Sequence, residues 1–471
     1  MRNYIFDAIL AFNYFVLFYF IIINAIYILL TVLSFFSIRR YMNESIFMRD
    51  YKKLFWSSFY KPISVLSPAY NEEATIADSV KSLLQLRYPQ YEIIVINDGS
   101  KDKTLDILIK EYNMKHLFRH FDISVPCQEI KALYSSVDYP NLIVVDKVNG
   151  GKADALNAGI NVSQYPLVSA IDADSILEPE VMAKLAQPFL KNPKTIAVGG
   201  IVRVVNGCTV RAGEVIKIAL SPRLLPNFQI IEYLRSFLFG RVGWDVFNGL
   251  LVISGAFGLF RKDAVIVCGG YRHDTVGEDM ELIVRMHRTM REKKIPYRIT
   301  FVPEPVCWTE VPESVTILAR QRNRWQRGLI DSLKLHRKML FNPRYGVIGL
   351  FAMPFFFFFE MLGPVVELAG YIVFPLSLMF GIVNLPFAIL FFFVAIVLGV
   401  ILSVSSLVLE ELSFRKYPNL IHIVILFVFS VLENFGYRQL HTWWRFRGII
   451  DYLMKKKSWG VMVRTGVKKQ G

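Results

Sequence analysis

The chain has 471 residues, 54% of them hydrophobic, with a mean hydropathy of +0.38 and a formal net charge of +15. That apolar content excludes an ordinary water-soluble enzyme of this length. Much of the positive charge sits beside apolar runs, at Arg39, Arg40, Arg438, Arg445, Arg447 and Lys455 to Lys457, so it suits lipid headgroups and a phosphate-bearing substrate rather than nucleic acid.

In chain order, Ala8 to Ile38 carries no charged residue, and about 20 apolar residues cross a bilayer. One span is expected here. It is too long for the core of a signal peptide and no small-residue cleavage site follows, so it reads as a permanent anchor. Arg39, Arg40, Lys52, Lys53 and Lys61 come next, which puts the middle of the chain in the cytoplasm by the positive-inside tendency. Cys127, Cys208, Cys268 and Cys307 form no CxxC pair; this suits a reducing compartment and argues against a zinc site.

Residues 51–345 alternate strand and helix patterns. Strands are expected at 63–70, 91–100, 141–147 and 166–174, and helices at 72–86, 103–112 and 152–162. Near-continuous apolar strands between helices predict an α/β domain with a parallel sheet covered on both faces. Ligands of such sheets bind beyond the carboxyl ends of the strands, where Asp98 of "INDGS" and Asp172 and Asp174 of "AIDADS" stand. Asp172 and Asp174 either converge on one hard cation or simply shape a turn. Asp98 is either a turn residue or an acceptor for a base or ribose. "NGGKADALNAG" (149–159) is a glycine turn opening a helix, where Lys152 adds a cation to a phosphate-attracting N-terminus; the Walker spacing is absent.

The small residues of "ISGAFGLF" (253–260), with Ser254 and Gly255, mark close approach of a ligand or tight packing. "TVGEDMELIVRMHR" (275–288) opens a helix with Glu278 and Asp279. Such acids stabilise a helix start, and Asp279 is also a candidate general base. A helix over 313–341 would carry "QRNRWQRG", with Gln321, Arg324 and Trp325 on one face. Arg324 can clamp a diphosphate bidentately, Gln321 can donate beside it, and Trp325 can cover a sugar ring.

Residues 346–450 are expected to be membrane-embedded. Leu368 to Leu409 is uncharged and broken at Asn384-Leu385-Pro386, long enough for two spans. Ile421 to Leu432 runs into Glu433 and Asn434, and Phe355–Phe359 either crosses or lies in the interface. Glu360, Glu367, Glu433 and Asn434 either line a channel or pair helices. Three later spans would leave the basic tail (451–471) outside, against the positive-inside tendency. Either 346–383 crosses twice or the tail is an exception.

Taken together and in order, "NDGS", "DAD", "GED" and "QRNRW" resemble the processive, membrane-integrated family 2 glycosyltransferases, among them bacterial cellulose, hyaluronan and poly-N-acetylglucosamine synthases. The resemblance spans about 63–330, and loosely the flanking membrane helices. It implies a GT-A-like domain in 51–345, between an anchor in 1–50 and the C-terminal membrane helices. It implies inverting, metal-dependent transfer from a UDP-sugar, UDP-GlcNAc or UDP-glucose first, to a polysaccharide acceptor, with Mg²⁺ or Mn²⁺. It also implies roles: Asp98 at the uridine, Asp172 by the diphosphate, Asp174 as main metal ligand and Asp279 as base. Lys152 and Glu278 would stand by the substrate, Gln321 and Arg324 at the diphosphate, and Trp325, Ser254 and Gly255 beside the acceptor. The spans would form an exit channel. The usual threonine before the acidic pair is Gly277 here, and no PilZ-like domain is present. A membrane lipid as acceptor is the alternative, and a silent scaffold a third; product length would separate the first two.

Overall fold

The computed structural model describes residues 2–47, 60–173, 175–211, 213–417 and 419–456. Asp174, Lys52, Lys53 and Lys457 lie outside the described residues.

The strands are β1 (Ile63–Ala69), β2 (Tyr91–Asn97), β3 (Met114–His116), β4 (Ile130–Ser136), β5 (Leu142–Lys147), β6 (Leu167–Ile171), β7 (Ile176–Leu177), β8 (Thr195–Val204), β9 (Thr209–Arg211), β10 (Glu214–Lys217), β11 (Phe257–Arg261) and β12 (Arg298–Thr309). Ten of them form one sheet in the order β3-β4-β5-β2-β1-β6-β11-β8-β12-β7; β9 and β10 pair separately. The four expected strands are β1, β2, β5 and β6, all mutually parallel. The three expected helices are Ile76–Leu84, Thr104–Glu111 and Lys152–Val162. Every residue of β2 after Tyr91 is buried, as is all of β6, which is why these strands read as unbroken apolar runs.

The sheet is parallel at its centre and mixed overall. β11 runs antiparallel between β6 and β8, β12 returns parallel to β8, and β3, β4 and β7 are antiparallel additions toward the edges. Strand order reverses direction at β1, whose neighbours are β2 and β6. The crevice beyond its carboxyl end is therefore a natural ligand position.

Around this domain lie helices apolar and long enough to cross a membrane: Tyr4–Glu44, Leu385–Ser413 and Leu420–Leu453, with Ile348–Met361 and Gly363–Met379 as a pair bent by 41°. The expected turn at Asn384 is present, and its side chain accepts the Phe387 N–H at 2.9 Å. The Arg2–Phe47 helix has 46 residues, roughly 70 Å at about 1.5 Å per residue, more than twice a hydrocarbon core. Its last turns run along the sheet domain: Tyr41 donates to Glu304 Oε2 at 2.8 Å.

Candidate active site

Parallel pairing sets the ends of β1, β2, β5 and β6 on one rim, so Asp98, the 149–151 loop and Asp172 emerge side by side. Asp98 is buried and turned into that loop. Its carboxylate accepts from Lys147 Nζ at 2.6 Å, Gly150 N–H at 3.0 Å, Gly151 N–H at 2.8 Å and Asn149 Nδ2 at 3.2 Å. Lys147, fully buried at the end of β5, also pairs with Asp154 Oδ1 at 2.6 Å. A Cβ on Gly150 would stand 2.4 Å from the Asp154 carboxyl. Gly150 is thus a packing requirement, Gly151 is required by its backbone, which turns through a φ of +87°, and the buried triad Asp98–Lys147–Asp154 fixes where Lys152–Val162 begins.

Lys152 is the first residue of that helix. Its Nζ lies 2.5 Å from Asp172 Oδ1, 3.1 Å from the Gly255 carbonyl and 3.7 Å from Glu278 Oε1. Gly255 in turn donates its N–H to Asp279 Oδ2 at 2.9 Å. Four separate sequence segments therefore meet: the glycine loop, the end of β6, the small residues before β11, and the acidic helix start. Lys152, Ser254, Gly255, Tyr271, Glu278 and Asp279 are among the residues lining a cavity of about 10 Å³ there, space for about one water. Burial opposes the Lys152 charge, but Asp172 and Glu278 outweigh it and raise its pKa above the ordinary lysine range. Burial raises the Glu278 pKa; Lys152 pulls it back and Asp279 adds to the rise, leaving it above the usual carboxylate value.

The helix Val315–Leu335 closes the site. It crosses the acidic helix start so tightly that a Cβ on Gly277 would stand 2.8 Å from Gly328 Cα. A threonine at 277 does not fit that crossing. Thr275, two residues earlier, instead accepts the Gly277 N–H at 3.2 Å. The crossing brings Arg324 close enough to Glu278 for its charge to favour the ionised carboxylate. Gln321 Oε1 accepts from Arg322 Nη1 at 2.8 Å, and Trp325 is 43% exposed.

Arg322, Glu232 and Lys147 escaped the sequence pattern. Arg322 is buried, donates to Glu232 Oε2 at 2.8 Å, and holds its guanidinium 4.2 Å from the Trp325 ring centre. Burial disfavours the Glu232 charge, yet Arg322 and His441 hold its pKa below the usual carboxylate range. The available signals were an arginine inside "QRNRW" and a lysine closing an apolar strand. Glu232 lies in a stretch with no motif.

Glu360, Glu367 and Glu433 bind other helices, and Asn434 binds within its own stretch, Leu420–Leu453. Glu360 pairs with Arg445 at 3.0 Å, Glu367 accepts from Thr442 at 2.7 Å, Glu433 pairs with Arg235, and Asn434 accepts from Arg438 at 2.9 Å.

Comparison with known proteins gives consecutive matches to glycosyl transferase family 2 (residues 64–124) and glycosyltransferase like family 2 (124–328), and a match to chitin synthase (271–460). A poly-beta-1,6-N-acetyl-D-glucosamine synthase of Staphylococcus epidermidis is 30% identical over 314 residues, 67% of this chain and 64% of that protein. The synthase of the same name from Staphylococcus aureus is 32% identical over 269 residues, 56% of this chain and 54% of that one. The chain thus spans less than two thirds of the length of these relatives. A solved mannosyltransferase from Pyrobaculum calidifontis, in complex with GDP-Man and Mn²⁺, is 16% identical, covering 92% of this chain and 99% of that one at a TM-score of 0.49. The two family 2 matches meet at residue 124 and together take in nearly the whole sheet and the helix bearing Arg324, and residues 64–328 are a family 2 glycosyltransferase domain.

Proposed function

We propose that the chain builds a polysaccharide from a nucleotide sugar at the cytoplasmic face of a membrane, by single displacement with inversion. The convergence of Lys152, Asp172, Gly255 and Asp279 within hydrogen-bonding distance of one another carries this reading. UDP-GlcNAc is the favoured donor, because relatives with about 30% identity are named poly-beta-1,6-N-acetyl-D-glucosamine synthases.

In this scheme Asp98 acts through the 149–151 loop, whose backbone it holds in place to receive the nucleoside. Lys152 and Arg324 neutralise the diphosphate as it leaves. Asp279 Oδ2, oriented by the Gly255 N–H, takes the proton of an acceptor hydroxyl. The hydroxyl oxygen bonds to the anomeric carbon as the bond to the diphosphate oxygen breaks on the opposite face, which inverts the configuration. Trp325 and the backbone at Ser254 and Gly255 border the acceptor sugar. The carboxylate oxygens of Asp172 and Asp174 fit a hard cation that also takes phosphate oxygens. Mg²⁺ or Mn²⁺, when bound there, would supply further positive charge to the leaving diphosphate. The membrane helices would carry the growing chain outward, since a hydrophilic polymer cannot cross hydrocarbon unaided.

The test uses the full chain in lipid nanodiscs with Mg²⁺ or Mn²⁺ and a panel of radiolabelled UDP-sugars. A long labelled polymer from one donor supports the proposal and names the sugar. Label confined to lipid would replace the polysaccharide with a lipid acceptor. No turnover of any donor would contradict it.

A further inference from the structure

Residues 224–246 lie between the sheet domain and the membrane helices as Leu224–Leu234, a π-helical turn Arg235–Arg241, and Val242–Val246. This segment is pinned from the membrane side. Ser34 donates to the Phe239 carbonyl at 3.2 Å, a Cβ on Gly243 would stand 2.9 Å from Leu30, and the Trp244 ring centre is 5.3 Å from that of Phe355. Arg241 ends the π-helical turn with its guanidinium 3.8 Å over the Phe237 ring. Its Nε and Nη1 are closed off from solvent and have no hydrogen-bond partner among the described residues. Burial opposes the charge, and the ionisable groups close enough to support it are Asp279 and Tyr233.

Buried N–H groups of a guanidinium are unfavourable unless something pairs with them, and native structures rarely keep them so without a use. The surroundings say which substrate they meet. Lys152 reaches Asp172, Glu278 and the Gly255 carbonyl, which is the diphosphate side of Asp279. Arg241 stands on the membrane side. Tyr233 links it to Arg322, whose guanidinium covers Trp325. A saccharide offers many neutral oxygen acceptors and suits a group that can only donate. We propose that Arg241 binds the acceptor saccharide, donating from Nε and Nη1 to oxygens of the sugar unit whose hydroxyl Asp279 deprotonates. This rests on the transferase reading above.

The test measures binding rather than turnover. Full-length protein in nanodiscs, saturated with UDP, is titrated with a soluble oligosaccharide of N-acetylglucosamine, alongside Arg241→Gln and Arg241→Lys. Loss of charge-assisted hydrogen bonds predicts roughly tenfold to hundredfold weaker oligosaccharide binding in R241Q. R241K should retain part of the affinity, and UDP affinity should stay at the wild-type value in both, which also shows that the variants fold. Equal oligosaccharide binding by wild type and R241Q, or a selective loss of UDP affinity, would overturn the assignment. If the wild type binds oligosaccharide through Arg241 yet transfers no sugar, the transferase reading fails, and with it the acceptor role, while saccharide binding at Arg241 stands.

Discussion

A Cβ on Gly255 would stand 3.2 Å from Asp279 Oδ2 and 3.4 Å from Lys152 Nζ. The Asp279 carboxylate would have to yield by a few tenths of an ångström while Lys152 stays in ordinary contact, and Asp279 is placed here at the reacting centre. Gly255→Ala is expected to lower the rate of transfer about tenfold or more, because small displacements of reacting groups are expensive, while the thermal unfolding midpoint changes little. A variant with wild-type turnover would show that this contact is loose. The acids themselves were legible in the sequence because each closes or opens an element: Asp98 and Asp172 follow buried strands, and Glu278 and Asp279 start a helix. The lysine that satisfies Asp98 was not legible, since Lys147 belongs to another strand 49 residues away and only the parallel pairing of β2 with β5 brings the two together. The glycine at 277 reads as a departure in sequence and as a requirement in space.

Two helices carry the site, and each permits a test. A Cβ on Gly328 would stand 2.8 Å from Gly277 Cα. Gly328→Ala should force Val315–Leu335 away from Glu278–Glu292, costing roughly 1–3 kcal/mol as overpacking does, and should separate Arg324 from Glu278. Chemical denaturation and a transfer assay would report both effects; unchanged stability would mean that the helices slide without strain. Within Glu278–Glu292, His287 is buried and held at both nitrogens, 2.8 Å from the Leu250 carbonyl and 2.7 Å from the Tyr297 hydroxyl. The carbonyl can only accept, so Nε2 carries the hydrogen and Nδ1 accepts from tyrosine. Burial pushes the His287 pKa down from 6.5 to about 4. The folded state therefore prefers the neutral ring. Its contribution is complete above pH 6.5 and is lost as pH falls toward 4, amounting to about 3 kcal/mol. Unfolding measured between pH 7.5 and 4 should be flatter in His287→Gln than in the wild type; parallel curves would contradict this. At this scale the sequence revealed the four central strands and their parallel direction, but not the antiparallel and edge strands that complete the sheet. An all-buried strand such as β8 has the same apolar run whether its neighbour is parallel β12 or antiparallel β11.

For the whole molecule, the basic tail poses a question of sidedness. Hydropathy makes Leu420–Leu453 a candidate span, yet its helix breaks at Phe435 and Gly436. The first part, Leu420–Leu432, has 13 residues, about 20 Å of helix and short of a hydrocarbon core. Just before it, Lys416 pairs with Glu178 at 2.8 Å and Tyr417 lies by Arg203 of β8. At the far end of Leu420–Leu453, Asn323 donates to Asp451 at 2.8 Å and Arg327 to the Lys456 carbonyl. Both ends are thus tied to the sheet domain and its closing helix. Counting the bent pair as one crossing and Leu385–Ser413 as the return, the tail is expected on the same side as the sheet domain, as its positive charge prefers. Lys455→Cys and Arg87→Cys, each as the single cysteine, should react with an impermeant maleimide from the same face of sealed vesicles. Labelling from opposite faces would make Leu420–Leu453 a true span.

Asp279 is the proposed base of an inverting transfer, and the chemistry of the whole molecule depends on it. The most direct measurement follows transfer from labelled UDP-GlcNAc by wild type and Asp279→Asn in nanodiscs, with UDP affinity measured on the same samples and the anomeric configuration of the new bond read by NMR. The expected result is polymer with inverted configuration from the wild type, and no transfer with UDP affinity preserved in the variant. Transfer by Asp279→Asn at the wild-type rate, or a product of retained configuration, would contradict it.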